Sequence, residues 1–579
     1  MMPVRVSVYA PKGRIDKYFI RRMNPMRKLL ALVLALSLFL PLFAVAEDAT
    51  VDLTACIASE PETIDPNTIS SVDGSTYTQH AFEGLMKYVM LDSKASESEN
   101  VFLASTDYGQ AQSYTVSDDG LVYTFVLRDD IFWSDGEPVK AQDFVYSWQR
   151  IVDPATASDY GYILDHIVLN AAEIQAGEKE PSELAVKALD DKTLEVTLEV
   201  ATPYFLGLCS FSSLVPVRQD IVEKYGAEWT NVENIVSNGA FVYSEWVHDS
   251  YIKMVRNEKY YDAANIVPDS ITWYLSDSNT AMKAAFDAGE YMFFDSLTAE
   301  QISQMKADGT AFVADQIGTY YLYVSCDNVP DWRIRAAISL AIDRDHIVED
   351  VTQGGQAPAT GIVAAGILDS KNQEWTEMIG SPMYNWLAEA YPDFDLDLYS
   401  ERCELAKKLV EEAVADGYDV NTTISYEFNT SETHKAIAEA VQSDVKDVLG
   451  LNMVLNNSEW QTYTNNLGEG KFGLARLGWI ADYNDAITYL ELFAPGNSYN
   501  YSNWNSEEYG ALINQIKTLP GGEERDALMM QAENMIFTEG GFCIAPIYFY
   551  TQTYAIKPEL KNVMWTPLGY FMFYNATNK

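Results

Sequence analysis

Between Thr422 and Leu477 the chain alternates strand, helix, strand, helix and strand, and no other feature constrains the fold as tightly. The segments are Thr422–Asn429, Ile437–Leu449, Leu451–Asn456, Glu459–Leu467 and Phe472–Leu477. A helix that carries the chain back across a sheet returns it to the end where the previous strand began, so such strands run parallel. Gly450 and Gly468 stand where helix C-caps belong, because a residue without Cβ takes a positive φ with least strain. The α/β region extends from about residue 333 to 550. Within it Ile334, Ala337, Ile338, Ala341 and Ile342 recur at helical spacing, and Glu401–Ala415 forms a second amphipathic helix.

Upstream the period shortens. Val51–Ser59 reads as a strand, followed by turn chemistry at Pro61 and Asp65-Pro66. Ser75–Tyr88 reads as a helix with Ala81, Phe82 and Leu85 on one face. Leu121–Arg128 alternates as a strand, Phe144, Trp148 and Ile151 mark a helix, and Thr193–Val200 alternates again. A chain of 579 residues exceeds one core, so two or three domains are expected. Hydrophobic residues at 48% make the body globular. The net charge of -45 leaves no dense basic surface, which excludes nucleic acid as a partner; the acidity itself is read as solubility.

Arg27-Lys28, the apolar run Leu29–Phe43 and the small-x-small site Ala44-Val45-Ala46 form a secretory signal. Residues 1–46 are therefore expected to be removed, with 1–25 an over-extended start or a long basic region, and the secreted chain is expected to begin at Glu47. The apolar run falls short of the roughly 20 residues of a membrane span. Leu53-Thr54-Ala55-Cys56 imitates a lipobox, but Glu47, Asp48 and Asp52 separate it from the apolar run, so no lipid anchor is expected. The five cysteines are widely spaced without CxxC, which reads as buried thiols with at most one or two bridges. The five histidines are scattered, with no HExxH, GxSxG or phosphate-binding loop. Neither an enzyme nor a metal or other cofactor is expected.

In open α/β sheets ligands bind beyond the carboxyl ends of the strands. That rule selects Asn429–His434, Glu459-Trp460 and Gly478–Asn484. Trp460, Trp479 and Asp482 then converge on one rim, and a carboxylate beside aromatic faces suits an ammonium group. On residue chemistry alone two tryptophans packed in the core and a turn-forming aspartate remain an equal reading. His434 at a helix start reads as a cap or surface residue rather than a base.

Several motifs stand in a recognisable order. They are Ser59-Glu60-Pro61-Glu62-Thr63-Ile64-Asp65-Pro66, Phe82-Glu83-Gly84-Leu85, Trp133-Ser134-Asp135-Gly136-Glu137-Pro138-Val139 running into Asp143–Trp148, Ser237–Phe241, and Arg333–Arg344. Together they resemble the peptide/nickel class (family 5) of ABC-transporter extracellular solute-binding proteins, and Ala475–Asn484 resembles the oligopeptide-binding type. The resemblance implies a periplasmic-binding-protein-like α/β fold of class II type, with two lobes around a hinge and an extra inserted domain. Domain I would comprise 47–84, 217–317 and 551–579, domain II 85–216, and domain III 318–550. It implies an exported monomer in the periplasm or at the outer face of the cytoplasmic membrane that takes a short peptide and hands it to ABC-transporter permease subunits. By the same resemblance Asp482 pairs with the peptide α-amino group. Trp460, Trp479, Arg476 and His434 line side-chain pockets, Tyr160 reaches in from the second domain, Tyr550 lies near the hinge, and the Val72 backbone pairs with the peptide. Tyr321 is counted with this set. The chain departs from the pattern at Gly318 and Ile480, where some relatives carry a disulfide, and at Ser70 and Tyr323, where acidic pocket residues stand, which puts a preference for basic peptide side chains in doubt. Other solutes of the class (a dipeptide, a nickel complex, haem, an oligosaccharide) and a secreted peptidase are the alternatives.

Overall fold

β1 (Asp52–Ala58) opens the described part of this computed structural model, which covers residues 50–58 and 60–579. The expected secretory signal and the expected start at Glu47 lie outside the described residues. Cys56 is buried within β1, in register with Tyr274 and Phe294 of neighbouring strands. Cleavage before Cys56 would strip Asp52–Ala55 from the middle of a sheet.

α1 (Val72–Ala81) is shorter than the expected helix. Its Ser71 cap accepts from the Gly74 N–H, and Glu62 accepts from the Ser70 and Ser71 N–H groups. Helical spacing continues in sequence to Leu85, but Phe82 is extended, and a Cβ on Gly84 would sit 2.6 Å from the Cys209 carbonyl oxygen. The chain therefore passes close to another backbone and leaves as β2 (Met86–Lys94), which pairs with β3 (Val101–Tyr108). His80 is buried in α1: its Nδ1 contacts the Thr76 carbonyl at 2.7 Å and its Nε2 accepts from the Phe573 N–H. Burial pushes it down to about 4, so it is a neutral core histidine.

β4 (Ala111–Val116), β5 (Val122–Leu127), β6 (Val186–Asp190) and β7 (Thr193–Thr197) form a four-stranded antiparallel sheet in the order β4-β5-β7-β6. α2 (Ala141–Val152) packs on it with Phe144, Trp148 and Ile151 fully buried, as their spacing predicts.

The largest sheet has eleven strands. On one side β8 (Phe241–Val247), β9 (Tyr251–Arg256) and β10 (Ser270–Leu275) lead to β1 and β11 (Phe293–Asp295). β1 runs parallel to both β10 and β11. On the other side lie the parallel strands that the sequence pattern requires. After β12 (Ala311–Val324) come α3 (Trp332–Ala341), the short β13 (Ala357-Pro358) and α4 (Tyr399–Ala415). The alternating core is β14 (Thr423–Asn429), α5 (Glu432–Leu449), β15 (Asn452–Ser458), α6 (Trp460–Gly468) and β16 (Leu474–Ile480). β14 pairs in parallel with β15 and β16. Gly450 closes α5 at φ 71, as expected. Gly468 instead ends within α6; Glu469 is the cap and Gly470 takes the positive φ.

Two long strands join the halves. β12 and β17 (Ile544–Ile556) pair antiparallel along their length, and their register breaks between Asp315 and Thr319. β18 (Val563–Trp565) and β19 (Phe571–Met572) complete the chain. β2 and β3, expected within the inserted domain, share one sheet with these last strands: β3 runs parallel to β18, and β2 lies at the edge beyond β3. Among the described residues, no helix is long and apolar enough to cross a membrane. Cys209, Cys326, Cys403 and Cys543 are thiols, three of them buried.

Candidate functional site

β16 carries the expected rim, and its two ends gather different groups. Alternation in a strand sends residues three apart to opposite faces, so Arg476 and Trp479 point opposite ways. Past Ile480 the chain turns and presents Asp482.

Asp482 is 5% exposed. Its Oδ1 accepts from the Tyr160 hydroxyl at 3.0 Å, across 322 residues of sequence. Its Oδ2 accepts from the Thr488 hydroxyl at 3.1 Å. Thr488 is the hub of this end, because its oxygen also accepts from Trp479 Nε1 at 3.2 Å and from the Asp482 N–H. Burial raises Asp482 to about 8; the nearby Glu491 adds to the rise, and the Tyr160 and Thr488 hydrogen bonds oppose it. Trp479 packs edge-on against Tyr499 at 4.8 Å, and both rings lie beside Tyr160. Tyr321 is fully buried on this side: its hydroxyl donates to Tyr323, which donates to the Tyr499 carbonyl.

The other end centres on Arg476. Nη1 donates to Asn429 at 2.9 Å and Nη2 to the Tyr550 hydroxyl at 3.3 Å. The guanidinium lies 5.1 Å from the Tyr320 ring, and Tyr463 donates to the Arg476 carbonyl. His434, in the first turn of α5, stands with its ring 5.7 Å from Tyr320. Burial, and then the Arg476 charge, hold His434 well below the ordinary histidine range, so it is neutral. Gly478 makes room for this cluster, since a Cβ there would lie 2.3 Å from the Tyr550 hydroxyl. Asp73, in the first turn of α1, feels the Arg476 charge; burial, with repulsion from Glu62, raises it to about 7 against the pull of Arg476.

Of the expected residues, Asp482, Trp479 and Tyr160 meet at one end, and Arg476, His434 and Tyr550 at the other. Trp460 opens α6, with its ring 6.0 Å from Tyr463. Val72 is the first residue of α1, and its side chain approaches Gly569. First-turn N–H groups have no acceptor inside their own helix, which leaves that backbone available. Gly318 and Ile480, singled out as the positions of an absent bridge, are direct partners in the β12–β16 register. Thr488, Tyr499, Tyr320 and Asp73 were not foreseen.

Three further contacts tie the segments on either side of this rim. The Tyr204 ring stacks flat on Tyr483 at 4.1 Å, the Ser498 hydroxyl donates to the Asp159 carbonyl at 2.8 Å, and Arg525, paired with Asp485 at 2.7 Å, lies 5.9 Å from the Tyr204 ring.

The model for bacterial extracellular solute-binding proteins, family 5 Middle, matches residues 108–501. The chain belongs to this family of solute-binding proteins. The periplasmic oligopeptide-binding protein OppA of Salmonella typhimurium is 33% identical over 508 residues, covering 86% of this chain and 87% of that one. A crystal structure of Haemophilus influenzae OppA in complex with the peptide RPPGFSPFR superposes with a TM-score of 0.81 at 30% identity, covering 92% of this chain and 99% of that one. The Escherichia coli murein tripeptide binding protein MppA superposes at 0.80, with 30% identity over 91% of this chain and 98% of its own. The fold is thus the class II two-lobed binding-protein fold. An unliganded, open form of MppA superposes at only 0.59, at the same identity and with 97% of its chain covered. The arrangement described here is therefore closer to that of the other MppA structure than to that open form.

Proposed function

We propose that this solute-binding protein captures short peptides between its lobes, anchors their amino terminus at Asp482, and delivers them to an ABC importer. The carrying observation is Asp482 itself: a buried carboxyl at a strand-end rim, held by hydroxyls on both oxygens and ringed by Tyr160, Trp479 and Tyr499. An ammonium satisfies such a carboxylate better than any neutral solute of the class. Gly478 and Ile480 offer backbone groups along the same direction, so an extended peptide can lie like an added strand. Six strand residues span at most about 20 Å, so a peptide of up to about six residues reaches from Asp482 to Arg476. Trp460, His434, Arg476 and Tyr550 would receive its side chains or its carboxyl end, and Tyr321 would support Tyr323 and Tyr499 from within. Most relatives with 30% or more identity carry peptide-binding names, which supports the same reading, while one at 32% identity is named a probable deoxycholate-binding periplasmic protein. Export from the cytoplasm, action as a receptor rather than an enzyme, and the three-domain division with a hinge near 317–318 and 550–551 complete the proposal. The break in β12–β17 register supports that hinge.

Four dissociation constants measured by calorimetry test it: wild type and Asp482→Asn, each with a free and an N-acetylated pentapeptide. A charge-assisted bond in a closed cleft contributes about 1.5–3 kcal/mol, roughly ten- to hundredfold in affinity. Each change alone is expected to cost that much, and the two together little more, because both remove one ion pair. Full additivity would remove Asp482 as the anchor.

A further inference from the structure

Outside the peptide rim, residues 483–525 face residues 159–204, segments that the proposed domain division assigns to opposite lobes. The Tyr204 and Tyr483 rings stack 4.1 Å apart with 1° between their planes. Arg525 is buried, reaches within 5.9 Å of the Tyr204 ring, and holds both oxygens of Asp485 at 2.7 and 2.9 Å. Lys517 pairs with one Glu491 oxygen at 2.6 Å, and the other accepts from the Tyr483 hydroxyl at 3.1 Å. Tyr204, Tyr483, Glu491, Lys517 and Arg525 line one cavity of about 10 Å³, room for about one water, so the two sides meet closely. Pro203 lines the same cavity, and a Cβ on the exposed Gly521 would sit 2.9 Å from its ring.

Both ion pairs lie within one side, so bringing the sides together parts no charge from its partner. The contact gains the aromatic stack and the guanidinium beside the Tyr204 ring. The opposing term is Asp165, on the other wall of the cavity: its Oδ1 has no partner within the protein, and the Lys517 charge offsets part of the cost of burying it. All these contacts join protein to protein, so their gain is the same whichever peptide lies in the cleft. Tyr204 and Tyr483 also border a cavity of about 430 Å³ that reaches Asp482, which places the contact at the amino-terminal end of the cleft. A peptide anchored at Asp482 lies beside this end whatever its length.

We propose that this contact is a latch: the Tyr204–Tyr483 stack, with Arg525 beside it and Gly521 close against Pro203, holds the lobes together and slows the release of every peptide by one common factor. This rests on the peptide reading and the domain division above. Arg525 and Asp485 are positioning residues, since their paired hydrogen bonds fix the turn that carries Asp482 and Tyr483. A peptide leaves only from an open complex. A weaker latch therefore speeds release of all peptides by the factor by which it weakens closure, whatever position the lobes take without ligand.

The test measures dissociation rates by stopped flow for tri-, tetra- and pentapeptides of unlike sequence. Tyr204→Ala removes the stack and is expected to speed release about two- to tenfold, by the same factor for each peptide. Tyr204→Phe keeps the ring and should stay within about twofold of the wild type. Gly521→Ala sets a methyl group against Pro203 across the contact and should speed release about fivefold, again uniformly. Gly521→Ala removes no contact inside either lobe, so it decides alone if Tyr204→Ala does not fold, as judged by thermal unfolding. A wild type that binds the peptides, with release that neither alanine variant changes, overturns the latch and leaves the peptide reading intact. A wild type that binds none of them overturns both. Factors that differ widely between peptides would make Tyr204 a wall of the peptide cleft and overturn the latch, as would a Tyr204→Phe variant that behaves like Tyr204→Ala.

Discussion

The two ends of β16 are finished differently. At the Asp482 end each carboxylate oxygen has a donor, and the Trp479 indole and the Asp482 N–H both reach Thr488. At the Arg476 end four buried polar atoms have no partner within the protein: Arg476 Nε, His434 Nδ1, and the hydroxyls of Tyr320 and Tyr426. A buried polar group left alone costs about 1–3 kcal/mol. At the first end the carboxyl itself is fully held and can discriminate by geometry, although the Tyr499 hydroxyl beside it also lacks a partner within the protein. The second is complete only with guests, and water serves there as well as many different ligand groups. One rim thus combines a fixed anchor with an adaptable far end, which suits a receptor for peptides of one polarity and many sequences.

The largest expected contrast is in pH dependence. With the lobes together and no ligand between them, burial holds Asp482 at about 8, so in that arrangement it is mostly protonated at neutral pH. Binding an ammonium requires the carboxylate and releases that proton. Affinity for a free-amine peptide should therefore rise by up to about tenfold per pH unit from pH 6 towards 8, then fall as the peptide amine, with a pKa near 7.7–8.0, loses its own proton. Folding stability runs the other way. The folded chain keeps a proton on Asp482 that the unfolded chain releases above about 4, so stability falls as pH rises from about 4 to 8. Calorimetric titration of one neutral peptide across this range checks the first statement, and urea unfolding of the ligand-free protein checks the second. A flat affinity profile would mean that the Asp482 end is not the charged one.

Thr488→Val is the next test, because it keeps shape and removes the hub. Asp482 would lose the donor on Oδ2, and Trp479 Nε1 and the Asp482 N–H would lose their acceptor. Affinity for a free-amine peptide is expected to drop about tenfold, equivalent to one hydrogen bond to a charged group. The affinity maximum should also move to higher pH, since one of the bonds that holds Asp482 down is gone. Loss of affinity without that movement would reduce Thr488 to a packing residue.

The outline of this comparison is legible in the sequence, and the reasons for the gaps are physical. Strand–helix alternation over Thr422–Leu477 predicts the parallel β14–β15–β16 core, and the rule for strand ends leads to Asp482 and Trp460. The resemblance adds Tyr160, whose contact spans 322 residues and which no local pattern could place. Tyr320 was missed in favour of Tyr321 because parity on β12 is set by pairing with β16: Tyr320 faces Gly478, on the Arg476 side. Thr488 reaches Asp482 through a turn that has no period to read. The helix expected through Tyr88 stops at Ala81 because Gly84 must pass the Cys209 carbonyl, a constraint set by a distant backbone. Pairing of β3 with β18 is equally remote in sequence.

The smallest effect is expected at His434, and its smallness is the point. The ring is neutral, its Nδ1 has no protein partner, and it stands beside Tyr320 at the adaptable end. If guests there are interchangeable with water, His434→Leu exchanges one hydrated contact for an apolar one, a difference of about 0–2 kcal/mol that varies with the ligand group opposite. Peptides of three to six residues should therefore lose about threefold or less in affinity on average, with the sign differing between lengths, and the wild-type profile should show no inflection near pH 6.5, because this histidine does not charge. Calorimetry on a length series of otherwise identical peptides reads both. A uniform loss of more than about tenfold at every length would make the far end as fixed as the Asp482 end, and the contrast between them would no longer explain tolerance of varied sequence.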